Sequence, residues 1–243
     1  MITFSQLGKF GRFGNQMFQA AGIMAFSWRN NDDYILPFCD LTGATNIPLD
    51  KFSNNITFTS AYTEPHYHYS PIPYKPNLNI QNSYLQSYKY FEDYSADIKK
   101  LLMPNVEVNK MTGYTSIHVR RTDYLTFKNC YHTLTRENYY DKAMECSGGK
   151  DFLIFSDDIT WCKREFSGNE FEFVEGNPDY YDMTLMANCD GGHIIANSSF
   201  SWWGGYLSTT ENSKVICPTK WFGPELEKSH NTKDLFLERW VKV

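Results

Sequence analysis

Short apolar strand patterns alternate with helical patterns along the second half of this chain, and that alternation restricts the possible folds. The strand patterns fall at residues 115–119, 151–155, 171–174, 193–196 and 214–217. Helical patterns follow at residues 160–166, 180–188 and 200–207, and a further one begins at Thr135 and ends near Gly148. Repeated strand–helix units of this size predict a parallel, doubly wound α/β sheet.

The first half of the chain begins in the same way. A strand pattern at 2–7 leads into a glycine-rich loop, an amphipathic helical pattern at 15–30 and a second strand at 34–36. Residues 40–82 are irregular and rich in Tyr, Pro, Asn and Ser, which predicts long loops with short strands. We expect residues 83–91 to form a strand with a turn, followed by a helix at 95–103.

A shift in composition near residues 104–112 predicts a domain boundary. We therefore expect an N-terminal domain at 1–110 and a second domain at 111–225. A C-terminal segment at 226–243 is expected to pack back on the N-terminal domain.

Charge and hydropathy argue against several classes of protein. A formal net charge of −5 disfavours a nucleic-acid partner, because phosphate backbones need a basic face. No signal-peptide pattern opens the chain, and no apolar run reaches the roughly 18 residues of a membrane-spanning helix. Six cysteines are scattered without C-x-x-C pairs, which is typical of reduced, mostly buried thiols. We expect a cytoplasmic protein without a transmembrane segment, either free or peripheral at the inner membrane surface.

Polar clusters follow three of the predicted strands, at residues 118–124, 156–158 and 197–201. Ligands of open parallel sheets bind outside the carboxyl ends of the strands. If the three strands belong to one sheet, the clusters lie along one edge of it. This coincidence carries more weight than any single cluster.

Each cluster taken alone allows two interpretations. Arg120 and Arg121 point to opposite faces of a strand, so one can bind a phosphate while the other pairs with a carboxylate such as Asp123. A structural ion pair at a strand end is an equal alternative. The segment 197–199 precedes a helix and is either a phosphate cradle or an ordinary N-cap. The segment 156–158 either holds a ribose or base, or caps the next helix.

Other motifs are weaker. The glycines at 8, 11 and 14 match neither the dinucleotide-binding nor the P-loop fingerprint. No cluster has the spacing of a metal site, so Arg side chains and helix dipoles are expected to neutralise any diphosphate. Trp202 and Trp203 are expected to pack their helix onto the sheet rather than to stack on a sugar.

Several ordered segments together resemble the α-1,2-fucosyltransferase family, the galactoside 2-α-L-fucosyltransferases. That family shares a superfamily with α-1,6- and protein O-fucosyltransferases. The segments are GRFGNQMFQ at 11–19, YLQSYKYF at 84–91, HVRRTDY at 118–124, FSDD at 155–158 and NSSFSWWG at 197–204.

The resemblance implies a GT-B-type glycosyltransferase with two Rossmann-like domains facing a cleft, of which the N-terminal one is abbreviated. Domain 1–110 would be the acceptor side, and domain 111–225 would bind the GDP-sugar. The implied reaction moves L-fucose from GDP-β-L-fucose, with inversion, to the 2-hydroxyl of a terminal galactose in a glycan. It would need neither a metal nor a cofactor besides the donor substrate.

The resemblance also assigns roles to residues. Arg120 would hold the β-phosphate, and Asn15 would face the cleft near the fucose; these two are the expected catalytic residues. Arg121 and Asp123 would be structural. The expected donor-binding residues are His118, Arg120, Asp158, Asn197, Ser198, Ser199, Phe200 and Gly14.

Three other functions remain as alternatives. One is fucosyl transfer to another position or acceptor, as in the α-1,6 relatives. Another is a catalytically inactive GDP-sugar-binding protein. A Rossmann-type oxidoreductase is disfavoured, because the dinucleotide fingerprint is missing.

Overall fold

The computed structural model describes residues 1–243, and the chain divides into two compact α/β units. The first unit contains Met1–Asn105 and His230–Leu237, and the second contains Val106–Ser229 and Glu238–Val243. The functional labels given above to the two domains, as well as the cleft between them, stay predictions.

The first unit is built on a four-stranded parallel sheet with strand order β2-β1-β4-β3. Its strands are β1 (Ile2–Thr3), β2 (Tyr34–Ile35), β3 (Ser60–Tyr62) and β4 (Leu78–Ile80). Its helices are α1 (Phe13–Arg29) and α2 (Ser95–Leu102), with short 3-10 turns at Leu49–Lys51, Tyr88–Tyr90 and Glu92–Tyr94. The predicted order of strand, glycine-rich loop and helix is confirmed, as are the long loops with short strands at 40–82.

Helix α1 is buried on nearly all sides, whereas its pattern predicted an amphipathic helix. The polar residues that suggested a solvent face are hydrogen-bonded inside the unit. Gln16 Nε2 donates to Asp40 Oδ2 at 2.7 Å, and Gln19 Nε2 donates to the Phe10 carbonyl at 2.8 Å. A buried amide nitrogen that has an acceptor costs little, so a helix with such polar positions can lie inside the fold.

The segment 83–91 is not a strand, and that prediction is wrong. Residues Tyr88–Tyr90 form a 3-10 turn capped by Ser87, whose side chain accepts from the Lys89 backbone. Leu85 has a φ of 52°, in the left-handed region that apolar residues avoid. Its backbone N–H donates to the Glu64 carboxylate at 2.7 Å, and this bond helps to hold the unusual conformation.

The second unit is built on a six-stranded parallel sheet with strand order β10-β9-β8-β5-β6-β7. Its strands are β5 (Tyr114–Val119), β6 (Asp151–Ser156), β7 (Phe171–Phe173), β8 (Gly192–Ile194), β9 (Val215–Cys217) and β10 (Val241–Lys242). Its helices are α3 (Thr122–Thr126), α4 (Asp141–Ser147), α5 (Ile159–Glu165), α6 (Asp179–Ala187) and α7 (Ser199–Tyr206). A π turn at Arg136–Tyr140 runs directly into α4.

Local signals in the sequence explain where these helices begin and end. Thr135 and Asn138 form a reciprocal capping box at the start of the π turn, and Gly148 ends α4 with a φ of 70°. Trp202 and Trp203 are fully buried and pack with Tyr206. The expectation that they pack α7 into the fold is therefore confirmed.

An α/β fold with parallel sheets is thus confirmed for the chain. None of its helices combines the length and the apolar character that crossing a membrane requires.

Candidate active site

The three polar clusters follow three neighbouring strands of the second unit's sheet. β5 pairs in parallel with β6 on one side and with β8 on the other, with Val119 opposite Ser156 and Ile117 opposite Ile194. Parallel strands end at the same edge, so the predicted placement of the clusters along one edge is confirmed. Direct contacts then join the clusters to one another.

Arg120 lies between two carboxylates. Its Nη2 is 2.6 Å from Asp123 Oδ1, its Nη1 is 3.0 Å from Asp157 Oδ2, and the side chain is only 10% exposed. The guanidinium also lies 5.5 Å from the centre of the Tyr124 ring. Assigning the phosphate to Arg120 leaves Arg121 as the expected partner of Asp123, but the turn into α3 brings Asp123 back to Arg120 instead.

Arg121 is held by a different set of partners. Its Cζ lies over the Trp161 ring, 3.7 Å from the ring centre, and its Nε is 3.3 Å from Asp158 Oδ2. Asp158 also caps α5 by accepting from the Trp161 backbone N–H at 3.1 Å. Trp161 was missed in the sequence, although an indole in the first turn after the FSDD segment was a usable signal.

Asp157 connects the loop after β6 to the loop after β5. Besides pairing with Arg120, it accepts from the backbone N–H groups of Arg121 at 2.9 Å and Thr122 at 3.3 Å. Three carboxylates thus face two guanidinium groups at this edge. A bound diphosphate would therefore have to take over part of the pairing that Arg120 now gives to carboxylates.

The side-chain amide nitrogen of Asn197 uses its hydrogen bonds within the protein. Its Nδ2 donates to the carbonyls of His132 at 2.8 Å and Trp221 at 2.7 Å, and only 1% of the residue is exposed. The backbone carbonyl of Asn197 accepts from Tyr124 Oη at 2.8 Å. Asn197 therefore joins several loops at the end of β8, while its predicted contact with the donor stays a prediction.

The N-terminal end of α7 keeps free hydrogen-bond donors. The side chain of Ser198, the N-cap residue, makes no capping bond, and Ser199 and Phe200 are half-buried. The first N–H groups of a helix have no intrahelical acceptor, and the helix dipole adds positive potential there. The predicted phosphate cradle is therefore geometrically available, and the alternative of a serine side-chain cap is not realised.

His118 is a buried, neutral imidazole. The residue is 5% exposed, and its ring centre lies 5.3 Å from that of Phe200, which links the first cluster to the third. Burial lowers the pKa of His118 to about 4, against a smaller opposing effect of Asp157. One ring nitrogen is consequently a hydrogen-bond acceptor at neutral pH, suited to a donor group such as a ribose hydroxyl or a base N–H.

Gly14 and Asn15, the remaining predicted site residues, belong to the first unit. Gly14 is buried in the first turn of α1, and Asn15 is half-buried beside it. Asn15 Oδ1 accepts from Gln86 Nε2 at 2.6 Å. Gln86 was not among the predicted site residues, although it lies in the YLQSYKYF segment that resembles the family.

Glu64 supports the segment that carries Gln86. It accepts from the Leu85 backbone, and burial raises the pKa of its carboxyl to about 7, against the lowering effect of the backbone hydrogen bonds from Leu85 and Tyr84. Because the folded pKa lies above the ordinary 4.5, the protonated carboxyl favours the folded state. That contribution is complete below pH 4.5 and is lost as the pH rises through about 7.

We expect Glu64→Gln to remove this pH dependence, because an amide does not ionise. The free energy of unfolding of the wild type, relative to the variant, should fall by about 2–3 kcal/mol between pH 4.5 and pH 8, one pKa unit being about 1.4 kcal/mol. Urea unfolding at several pH values measures the difference. Parallel curves for the two proteins would show that Glu64 titrates normally.

Comparison with known proteins shows which sequences this chain resembles. The sequence profile of Glycosyl transferase family 11 matches residues 4–243. An α-1,2-colitosyltransferase of Escherichia coli is 31% identical over an alignment covering 96% of both chains. A galactoside 2-α-L-fucosyltransferase of Caenorhabditis elegans is 31% identical over 68% of this chain and 53% of its own length.

Solved structures resemble the fold at low sequence identity. The apo form of POFUT1 has a TM-score of 0.54 and 14% identity, and the superposition covers 89% of this chain and 97% of POFUT1. A complex of POFUT1 with GDP-fucose gives a TM-score of 0.51 at 13% identity, over 86% and 94% of the two chains. At these identities the likeness concerns the fold alone. The family profile, which spans nearly the whole chain, shows that the chain belongs to Glycosyl transferase family 11.

Proposed function

We propose that this glycosyltransferase moves L-fucose from GDP-β-L-fucose to the 2-hydroxyl of a terminal galactose, with inversion at the fucose C1. The observation that carries the proposal is the meeting of three polar clusters at the ends of β6, β5 and β8. They combine an arginine, a buried neutral histidine and an uncapped helix N-terminus. That combination suits a nucleoside diphosphate. The names of the relatives support the sugar and the linkage.

The residues take the following roles in this proposal. Arg120 binds the β-phosphate, while the α7 end with Ser198, Ser199 and Phe200 binds phosphate and base. His118 and Asp158 hold the guanosine end. Asn15, with Gly14 beside it, acts on the sugar. Arg121 and Asp123 stay structural, as their ion pairs with Asp158 and Arg120 suggest.

The proposed reaction is a single displacement. The oxygen of the acceptor hydroxyl forms a bond to the fucose C1 and releases its proton to water. The bond from C1 to the β-phosphate oxygen breaks in the same step, and its electron pair leaves with GDP, through an oxocarbenium-like transition state. Negative charge develops on the departing phosphate, and fixed positive groups accelerate the step by stabilising that charge. Arg120 and the N–H groups of α7 supply this stabilisation, and no metal or further cofactor takes part.

Colitose is the second candidate for the transferred sugar. The relative named α-1,2-colitosyltransferase aligns over 96% of both chains, a larger share of its length than for the fucosyltransferase relative. Colitose lacks the 3-hydroxyl that fucose carries. Comparing transfer from the two donors therefore tests whether the protein contacts that hydroxyl. A site that hydrogen-bonds this hydroxyl would reject the deoxy sugar strongly.

Transfer assays with purified protein test the proposal. GDP-fucose and the GDP-activated form of colitose are each incubated with β-galactosides, and with matched acceptors whose terminal galactose lacks the 2-hydroxyl. Mass spectrometry detects the product, and NMR assigns the anomeric configuration and the linkage. We expect an α-1,2 product from the galactosides and no product from the 2-deoxy acceptors.

Equal transfer to the 2-deoxy acceptors would contradict the proposed linkage and favour another position, as in α-1,6 transfer. GDP binding by calorimetry without turnover on any acceptor would favour a catalytically inactive GDP-sugar-binding protein.

A further inference from the structure

A chain of hydrogen bonds inside the first unit ends on the side chain of Asn15. Tyr67 Oη donates to Gln86 Oε1, and Gln86 Nε2 donates to Asn15 Oδ1 at 2.6 Å. Tyr67 and Gln86 are only 7% and 6% exposed, whereas Asn15 is half-buried. These hydrogen bonds thus lead from the interior of the unit to the Asn15 amide near its surface.

This arrangement fixes which end of the Asn15 amide faces outward. An amide has one accepting and one donating end. Because Oδ1 is taken by Gln86, the Nδ2 group is left to point away from the interior. Burying two polar side chains is costly unless both are satisfied, and here they satisfy each other while orienting a third.

The loop before α1 makes room for the oriented amide. Gly11 has a φ of 95°, which a glycine adopts without strain. A Cβ at Gly11 would overlap the Asn15 side chain, including its Nδ2. The backbone and the two buried side chains therefore specify the same position for the Asn15 donor.

We propose that Tyr67 and Gln86 are positioning residues that keep the Asn15 Nδ2 group turned outward as a hydrogen-bond donor to the reacting sugar or its departing oxygen. The inference rests on the proposed function, in which Asn15 acts on the sugar. It adds two residues, from two other segments of the chain, to the machinery of transfer.

The variant Gln86→Glu reverses the direction of the hydrogen bond between residue 86 and Asn15, with almost no change in side-chain shape. The introduced carboxylate still accepts from Tyr67, but it can no longer donate to Asn15. Asn15 then turns to donate its own Nδ2 inward and presents Oδ1 outward. A lost donor to a transition state costs about a hundredfold in kcat, and we expect a loss of that order. The affinity for GDP, which has no sugar beyond its ribose, should stay unchanged.

The pH profile separates this effect from a structural defect. Protonation of the introduced carboxyl restores a donor toward Asn15, and burial shifts that protonation toward neutral pH. The ratio of variant to wild-type kcat should therefore rise as the pH falls from 8 to 6. Tyr67→Phe removes the hydrogen bond that holds Gln86, so the Gln86 side chain can rotate. We expect kcat to fall about tenfold without such a pH dependence. This variant tests the proposal if Gln86→Glu fails to fold.

Gln6→Glu is the matched control, because Gln6 also forms a pair with an asparagine in the first unit, donating to Asn82 Oδ1 at 3.0 Å. We expect near-normal transfer from this control. Wild-type kcat in Gln86→Glu and Tyr67→Phe, together with an inactive Asn15→Ala, would overturn the positioning role alone. Normal turnover by Asn15→Ala would overturn the role of Asn15 and the inference with it. Absence of transfer by the wild type would overturn the proposed function itself.

Discussion

Arg120→Ala should lower kcat for sugar transfer on the order of a thousandfold, the largest effect on activity that we expect. An arginine that stabilises a departing phosphate, or a fixed donor to a developing anion, is worth this much in other enzymes. Without Arg120, the α7 end is the remaining proposed source of positive potential at the phosphate. Steady-state kinetics with GDP-fucose measures the loss, and calorimetry with GDP measures the weaker binding that should accompany it.

The ion pairs of Arg120 require controls for stability. Its removal leaves Asp123 without this partner, while Asp157 keeps the hydrogen bonds from the Arg121 N–H and from the N–H and hydroxyl of Thr122. Arg120→Ala combined with Asp123→Asn removes one of the two negative charges that Arg120 neutralised. We expect the double variant to regain thermal stability but not activity. Recovery of turnover along with stability would show that Arg120 acts only as a structural residue.

Arg136→Ala is the matched control for the loss of an Arg–Asp pair. Arg136 Nε lies 2.6 Å from Asp141 Oδ1 in the same unit and is 31% exposed. We expect this variant to lose some stability and to keep its kcat. A turnover of Arg120→Ala within tenfold of the wild type, in a folded protein, would contradict the assignment of the β-phosphate to Arg120.

The position of the candidate site could be predicted from the sequence, because it depends on short-range patterns and one general rule. Each polar cluster directly follows an apolar strand, and parallel strands of one sheet end at one edge. The same holds for Thr135 and Gly148, whose capping roles depend only on neighbouring residues. These features needed no knowledge of the tertiary structure.

The partners within the site could not be predicted in this way. Asp123, Asp157 and Asp158 are equally plausible partners of the two arginines in the sequence, and the turn into α3 decides among them. Likewise, the segment at Leu85 has apolar and aromatic residues typical of a strand. Its conformation depends on Glu64, a residue distant along the chain. The extent of burial of α1 also depends on what surrounds it, which its periodicity cannot reveal.

Asn197 shows how such tertiary contacts change the interpretation of a motif. The resemblance implied a donor-binding residue, yet its Nδ2 group joins the carbonyls of His132 and Trp221 in the structure. These bonds hold two loops around the end of β8, directly before the N-terminus of α7. A scaffold role at this position predicts a loss of stability as well as a loss of GDP binding.

Asn197→Ala should destabilise the second unit by about 2–6 kcal/mol, because two carbonyls lose their donor and each unsatisfied buried group costs about 1–3 kcal/mol. That corresponds to a fall in Tm on the order of 10 °C, which thermal unfolding followed by tryptophan fluorescence detects. Asn197→Asp should be worse at neutral pH, since a carboxylate then faces two carbonyl oxygens. Its deficit should shrink as the pH falls and the buried carboxyl takes up a proton.

An exposed asparagine of the same unit provides the control for this prediction. Asn177 Nδ2 donates to Asp182 Oδ1 at 3.0 Å on the surface, and Asn177→Ala should change the free energy of unfolding by less than about 1 kcal/mol. GDP affinity of Asn197→Ala is then measured well below its Tm. Weak binding in a destabilised protein fits a scaffold that shapes the α7 end. If the variant keeps the wild-type Tm but loses GDP binding, Asn197 contacts the donor directly, because its removal would then affect the ligand and not the fold.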